Sequence, residues 1–174
     1  METKRLVPIQ IIQLTPQEWQ RYREIRLEAL RAEPQAFGST YADSEQRPAA
    51  YWQERLADAQ RGVDSWLLFA REGEHLVGMT GAFYDERREA AIIVSVYVSQ
   101  AARGKGVGKA LMEAILAEVG KRKDIRKAAL GVVQEQAAAV ALYRCFGFEV
   151  TEEQEEAQGD GKMHHGYWME KRLG

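Results

Sequence analysis

Residues 102–111 read Ala-Arg-Gly-Lys-Gly-Val-Gly-Lys-Ala-Leu, and here residue types and spacing first point to chemistry. Gly104, Gly106 and Gly108 alternate with Arg103, Lys105, Val107 and Lys109, directly before a helical pattern. The first backbone N–H groups of a helix have no intrahelical partner, and the helix dipole makes that end positive. Glycines let an anion approach those amides closely. The turn is therefore suited to a phosphate-like group; the competing reading is a solvated basic turn with glycines for flexibility. Two nucleotide-binding loops fail on spacing. A P-loop needs four residues between its first glycine and a Gly-Lys pair, then Ser or Thr. Here three residues separate Gly104 from Gly108, and Ala110 follows Lys109. The dinucleotide fingerprint needs Gly-x-Gly-x-x-Gly, which the glycines at 104, 106 and 108 do not give.

Other reactive residue types give less. His164-His165 has no second ligand pair at metal-site spacing, so no metal is expected. Cys145 is the single cysteine and has no evident histidine partner; it reads as a small buried apolar residue. The acidic stretch 151–162, with Glu152, Glu153, Glu155, Glu156 and Asp160, reads as a solvated loop.

The elements that must position these residues follow from periodicity. Residues 5–13 alternate as a strand. Thr15, Pro16 and Glu18 form a helix-start signal, and Trp19, Tyr22, Ile25, Leu27 and Leu30 carry that helix to about residue 31. A loop over 33–43 leads to a second helix starting near Pro48. Three β-prone runs, 65–70, 75–84 and 90–98, are separated by charged turns and read as antiparallel hairpins. The glycine loop opens a helix with Leu111, Ile115 and Val119 on one face. A strand at 127–133 follows, then a helix at about 135–146 closed by Gly147, then strands near 148–152 and 164–173. This order argues an α/β fold with a mixed, mostly antiparallel central sheet that is not doubly wound.

Two segments carry a family resemblance: "VYVSQAARGKGVGKALMEAIL" and "LGVVQEQAAAVALYRCFGFEV". The first is similar to the coenzyme A motif of the GNAT superfamily of N-acetyltransferases, Arg/Gln-x-x-Gly-x-Gly/Ala, at Arg103, Gly106 and Gly108. The second resembles the later strand–helix segment of that family, ending in Leu142-Tyr143 and Gly147-Phe148. The resemblance implies a GNAT fold whose central sheet splays between its fourth and fifth strands, with helices on both faces. It implies acetyl-CoA as co-substrate, its pantetheine arm beside Tyr97 and Val98 and its pyrophosphate on the amides of residues 103–109. It also implies that Tyr143 protonates the leaving thiolate, the alternative being a purely packing role. Where the family commonly has Asn, this chain has Gln136, which keeps the amide and is one methylene longer.

The base is open at this point. No carboxylate lies in residues 92–98, and the candidates are Ser95, Glu45, Glu135, His164 and His165. Consecutive strand residues alternate faces, so at most one histidine points at the site. The loop with Phe37, Ser39, Thr40 and Tyr41 resembles the acceptor-side segment of a bacterial subset of the family, although Phe37 would also serve as a core plug. The expected function is transfer of acetyl from acetyl-CoA to a primary amine of a small molecule or a peptide or protein by direct attack; the alternative is a non-catalytic acyl-CoA-binding sensor or assembly module.

The whole chain sets bounds. Its 174 residues suit one domain, 1–174. A net charge of −2 argues against a dedicated nucleic-acid binder. No apolar run is long enough to span a membrane, and the N-terminal residues read as strand, not signal peptide. One cysteine fits a reducing cytoplasm, and a homodimer stays open.

Overall fold

The computed structural model describes residues 7–174. Seven strands form one sheet: β1 (Ile9–Ile12), β2 (Ser65–Glu72), β3 (His75–Asp85), β4 (Ala90–Val98), β5 (Lys127–Val133), β6 (Glu149–Ala157) and β7 (Met163–Arg172). Their order is β1-β2-β3-β4-β5-β7-β6. Every neighbouring pair is antiparallel except β4 with β5, which is parallel. The mixed, mostly antiparallel α/β sheet expected from the element order is the sheet observed. The expected strand at 5–13 is shorter, and its residues 5 and 6 lie outside the described residues.

Five α-helices join the strands: α1 (Trp19–Ala32), α2 (Tyr41–Glu45), α3 (Ala49–Arg61), α4 (Val107–Gly120) and α5 (Ala137–Cys145). The loop expected before the second helix thus contains a short helix of its own, started by Thr40, whose hydroxyl accepts from the Asp43 amide at 3.1 Å. At the start of α1 the Glu18 carboxylate accepts from the Thr15 amide at 2.9 Å, as the capping pattern requires. At the end of α5, Gly147 has φ +89°. Only that left-handed turn lets the Phe148 amide reach back to the Tyr143 carbonyl at 3.1 Å.

Strand alternation divides the core. Leu67, Phe69 and Met79 pack with Tyr22, Ile25, Leu30, Trp52 and Leu56 of α1 and α3. Trp66, Leu68 and Ala82 face the opposite way, toward Met112, Ile115 and Val119 of α4 and toward Tyr143 and Phe148. Leu111, Ile115 and Val119 are wholly buried at helical spacing. Burying each large apolar side chain contributes about 1.5–3 kcal/mol. Gly78 lets α4 come close to the sheet: a Cβ there would stand 2.9 Å from the Tyr97 carbonyl and 3.2 Å from Val107.

Two expectations are corrected. The acidic stretch is not a solvated loop; Glu149–Ala157 is the edge strand β6. Its outward side chains are charged because an apolar exposed edge would invite other chains to pair. Cys145 is exposed, not buried. It follows the buried Tyr143 by two residues, about 200° around the helix, and so faces solvent.

Candidate active site

The site begins with a fault in β4. Met79 pairs with Tyr97 and Gly81 with Val94, so Thr80 alone opposes both Ser95 and Val96. This β-bulge puts Ser95 at φ +58°, a conformation rare for a residue with a side chain. The extra residue shifts the alternation. Ala91 and Ile93 face α4 before the bulge, and Val96 does so after it. Tyr97 thereby joins the α1–α3 core. Val94 and Ser95, although consecutive, both line the cavity on the α1–α3 side.

The bulge also parts the sheet. β4 pairs with β5 only at Ala91–Ala128 and Ile92–Ala129. Past Ile92 the β5-facing edge of β4 has no partner strand among the described residues, while its other edge stays paired with β3 out to Val98. An extended ligand can pair with such an edge.

The glycine loop stands at the C-terminal end of this opening. Gly104 and Gly106 have φ +78° and +79°, and nothing lies within 4 Å of where a Cβ would be. These two glycines are required by conformation. Gly108 is different: its φ is ordinary, and a Cβ there would touch Leu142 at 3.3 Å. It is a packing glycine between α4 and α5. The Ala110 amide bonds the Gly106 carbonyl at 3.0 Å, so the Val107, Gly108 and Lys109 amides precede the first helical bond. The Val107 side chain is buried, leaving its amide as its contribution. Arg103 reaches the Val98 carbonyl at 3.2 Å and Glu33 at 2.6 Å, and Lys105 stands 3.4 Å from Glu72. Lys109 extends into solvent near Glu113. Exposed pairs of this kind contribute less than about 1 kcal/mol and exchange readily for a stronger anion.

Tyr143 is buried against Phe148, ring centroids 6.3 Å apart. Burial, with a smaller contribution from the Glu33 charge, pushes its pKa up, so the hydroxyl keeps its proton. The Gln136 amide bonds the Val133 carbonyl at 3.0 Å at the start of α5. Tyr97 donates to Glu28 at 2.7 Å; burial first and then this bond push its pKa to about 12. Its side chain is thus tied to α1, and the backbone is what it presents to the opening.

On the α1–α3 face lies a cavity of about 500 Å³. Phe37 and Ser39 line it, as do Tyr22, Arg26, Trp52, Arg55, Ser95, Glu156 and His164. The turn after β6 closes one side: the Gly159 amide donates to the Phe37 carbonyl at 2.7 Å. A Cβ on Gly159 would meet the Ser39 carbonyl at 2.5 Å, so only glycine fits. Arg26 donates to the Ser95 hydroxyl at 3.1 Å and lies 4.9 Å over the Phe37 ring. Arg55 donates to the Tyr22 hydroxyl at 2.9 Å. His164 Nε2 is 2.7 Å from Asp160 Oδ2. The Lys162 amide, then His164, hold the Asp160 carboxyl below its ordinary pKa. Among the described residues, no three His, Cys, Asp or Glu side chains gather as a metal-holding group.

Tyr41 is not at this cavity. Its hydroxyl accepts from Arg31 at 2.7 Å, and with Leu27 and Glu28 it lines a shallower groove along α1. Of the base candidates, Ser95 and His164 line the cavity and Glu45, Glu135 and His165 do not. The two histidines part as strand alternation requires: His165 turns to Glu153 and Tyr167.

The sequence pattern of the acetyltransferase (GNAT) family matches residues 18–148. This chain belongs to that family. The GNAT fold is equally plain in solved structures. A GNAT-family acetyltransferase from Streptococcus pneumoniae superposes with a TM-score of 0.82 at 20% identity, over 96% of this chain and 100% of the other. A putative acetyltransferase from Salmonella typhimurium, solved with its cofactor acetyl-CoA, gives 0.79 at 19% identity over 96% and 95%. The PaiA N-acetyltransferase from Thermoplasma acidophilum, in complex with coenzyme A, gives 0.73 at 19% over 95% and 99%.

Sequence reading of this GNAT chain missed Arg26, Arg55, Trp52 and Glu156 as cavity residues. A signal existed for the arginines. Arg26 lies four residues after the buried Tyr22 and four before the buried Leu30, and Arg55, itself at the exposed rim, three after the buried Trp52 and four before the buried Ala59. A cation within a buried helical stripe is uncommon and points at a cavity or a partner.

Proposed function

We propose that this GNAT chain transfers acetyl from acetyl-CoA to a primary amine of a small molecule or a peptide by direct attack. The observation that carries the reading is the parted β4–β5 edge, which has unpaired helix amides at one end and a cavity at the other. The Salmonella and Thermoplasma proteins, solved with acetyl-CoA and coenzyme A, share that fold.

The residues present fit the coenzyme. The amides of Val107, Gly108 and Lys109, the open space over Gly104 and Gly106, and the side chains of Arg103 and Lys105 suit a pyrophosphate. The free edge of β4 up to Tyr97 and Val98 suits the amide groups of pantetheine, and Gln136 offers a further amide across the opening. When bound, acetyl-CoA supplies the thioester carbonyl. Tyr143 holds a proton for the sulfur that leaves as the C–S bond breaks, and its raised pKa keeps that proton in place at neutral pH. His164 accepts the proton that the amine loses as the C–N bond forms. Its Nε2 lies 2.7 Å from Asp160 and its Nδ1 3.8 Å from Glu135, so carboxylates flank both ring nitrogens and stabilise the ring once it has taken up the proton. Ser95, fixed by the bulge and by Arg26, lies at the same wall and can hold a water between amine and base.

The test is incubation of the purified protein with acetyl-CoA and a panel of amines, following thiol release and the acetylated product by mass. Amine-dependent release of both is the expected result. A protein that binds acetyl-CoA yet consumes none with any amine would be a coenzyme-binding module instead.

A further inference from the structure

We infer that the acceptor is a small amine bearing a carboxylate on the same molecule, with the carboxylate held by Arg26 and Arg55. This rests on the acetyl-transfer reading above and names the substrate class of that site. Elsewhere the chain pairs many of its arginines with acids: Arg21 with Glu18, Arg61 with Asp58, Arg103 with Glu33, and Arg122 with Asp64 and Asp124. In the cavity it does not. Among the described residues neither Arg26 nor Arg55 has a carboxylate within ion-pair distance; their partners are the Ser95 and Tyr22 hydroxyls. Each guanidinium has spent one donor there and keeps others for a carboxylate, whose two oxygens match its fork. Both cations line the cavity. Burial first, and then the Arg55 charge, lower the pKa of Arg26, whereas at Arg55 burial is outweighed by the Tyr22 hydroxyl, which raises the pKa. A carboxylate between them would offset the cost of burying Arg26.

The opposite wall has the complementary sign. Glu156 and His164, with Asp160 behind it, come from β6 and β7. A cavity with cations on α1 and α3 and carboxylates on the hairpin orients a molecule that carries both charges. Its amine is directed to His164 and its carboxylate to the arginines. The volume, about 500 Å³, is that of a small-molecule site. A polyamine of that size would bring a second ammonium against the arginines, and this repulsion rejects it.

The experiment uses the free protein amino acids and their carboxamides as matched acceptors with acetyl-CoA, with calorimetric titration of the same compounds in parallel. At least one amino acid should be acetylated with kcat/KM about 30-fold above its carboxamide, the scale of a lost charge-assisted bond. Arg55→Gln, at the exposed rim, should shrink that ratio several-fold at unchanged acetyl-CoA affinity. Arg26→Gln should do the same in a variant whose melting temperature shows that it folds. Equal use of acid and carboxamide, or preference for uncharged amines or polyamines, overturns the inference and leaves acetyl transfer standing. Binding of a carboxylate by calorimetry, lost in Arg55→Gln and with no acetylation of any amine, supports the anion site and breaks the transfer reading. Neither binding nor reaction with any amino acid overturns the inference.

Discussion

At the Gly104–Lys109 end of the β4–β5 opening, the groups offered to the proposed coenzyme are backbone amides from consecutive residues. At the cavity end they are side chains from α1, the segment after it, α3, β4, β6 and β7. The first site depends on φ angles and a helix start, the second on packing between elements far apart in sequence. Substitution should therefore act differently at each: conformation-changing replacements at the loop, chemistry-changing ones at the cavity. Tyr143, on α5, is proposed to supply the proton between them, and on that reading its loss should have the largest effect. Tyr143→Phe keeps the buried ring and removes only the hydroxyl. Steady-state kinetics with a competent amine should show kcat reduced about 100-fold and acetyl-CoA affinity near normal. The wild-type pH profile should agree. A pKa raised by burial favours the protonated form, so the hydroxyl does not ionise below about pH 10, its unperturbed value. No fall in kcat on the alkaline side up to that pH should trace to Tyr143. An unchanged rate in the Phe variant would return Tyr143 to packing alone.

Next in size are the glycines, which separate within one loop. Gly106→Val forces a β-branched residue to φ +79° and puts a side chain into open space above the amides. Acetyl-CoA binding by calorimetry should weaken at least about tenfold. Gly108→Val acts through packing against Leu142, so its melting temperature should fall along with affinity. Lys109→Ala should matter least, about twofold, because its side chain is exposed and adds only screened charge. If Lys109→Ala weakened binding more than Gly106→Val, charge rather than backbone would govern this end.

At the cavity end, Phe37→Ala should change which amine is preferred and leave acetyl-CoA affinity alone. Phe37 is buried and supports Arg26 from below, so the variant should also lose about 3 kcal/mol of stability by chemical denaturation. Altered coenzyme affinity with unaltered acceptor preference would reverse the assignment of the two ends.

That division also explains what was legible in the sequence. The loop could be read because everything its proposed role needs lies in consecutive residues: alternating glycines, a helix start and basic neighbours. The fold could be read because each strand and helix carries its own period. Arg26, Arg55 and Glu156 could not be assigned a shared role, since nothing in residues 26, 55 and 156 says that α1, α3 and β6 meet. Tyr41 shows the converse error. It sits four residues from Phe37 in the same segment, yet α2 carries it round to Arg31 on another surface. The bulge at Ser95 was equally hidden. No glycine marks it, and its consequence, two consecutive residues on one face, contradicts the alternation by which strands are read.

The smallest effect is expected from the acidic strand, and it sharpens the comparison within the cavity itself. The acidic residues at 152–160 are one cluster in sequence but not in space. Glu156, although exposed, lines the mouth of the cavity and Asp160 holds His164, whereas the equally exposed Glu152, Glu153 and Glu155 do not line that cavity. The latter three contribute only a field, and ions screen it within roughly 8 Å at physiological salt. Converting them to glutamine should raise KM for a cationic carboxamide acceptor by about twofold at low ionic strength and leave KM for the net-neutral amino acid nearly unchanged. The same variant should match wild type at physiological salt, with kcat unchanged at both. Glu156→Gln should instead act at any salt, because its carboxylate is part of the wall that faces the amine. Measuring KM for the two variants across a salt series separates them. Parallel salt dependence would mean that Glu156 acts as one more exposed charge and that the wall facing the arginines is formed by His164 and Asp160 alone.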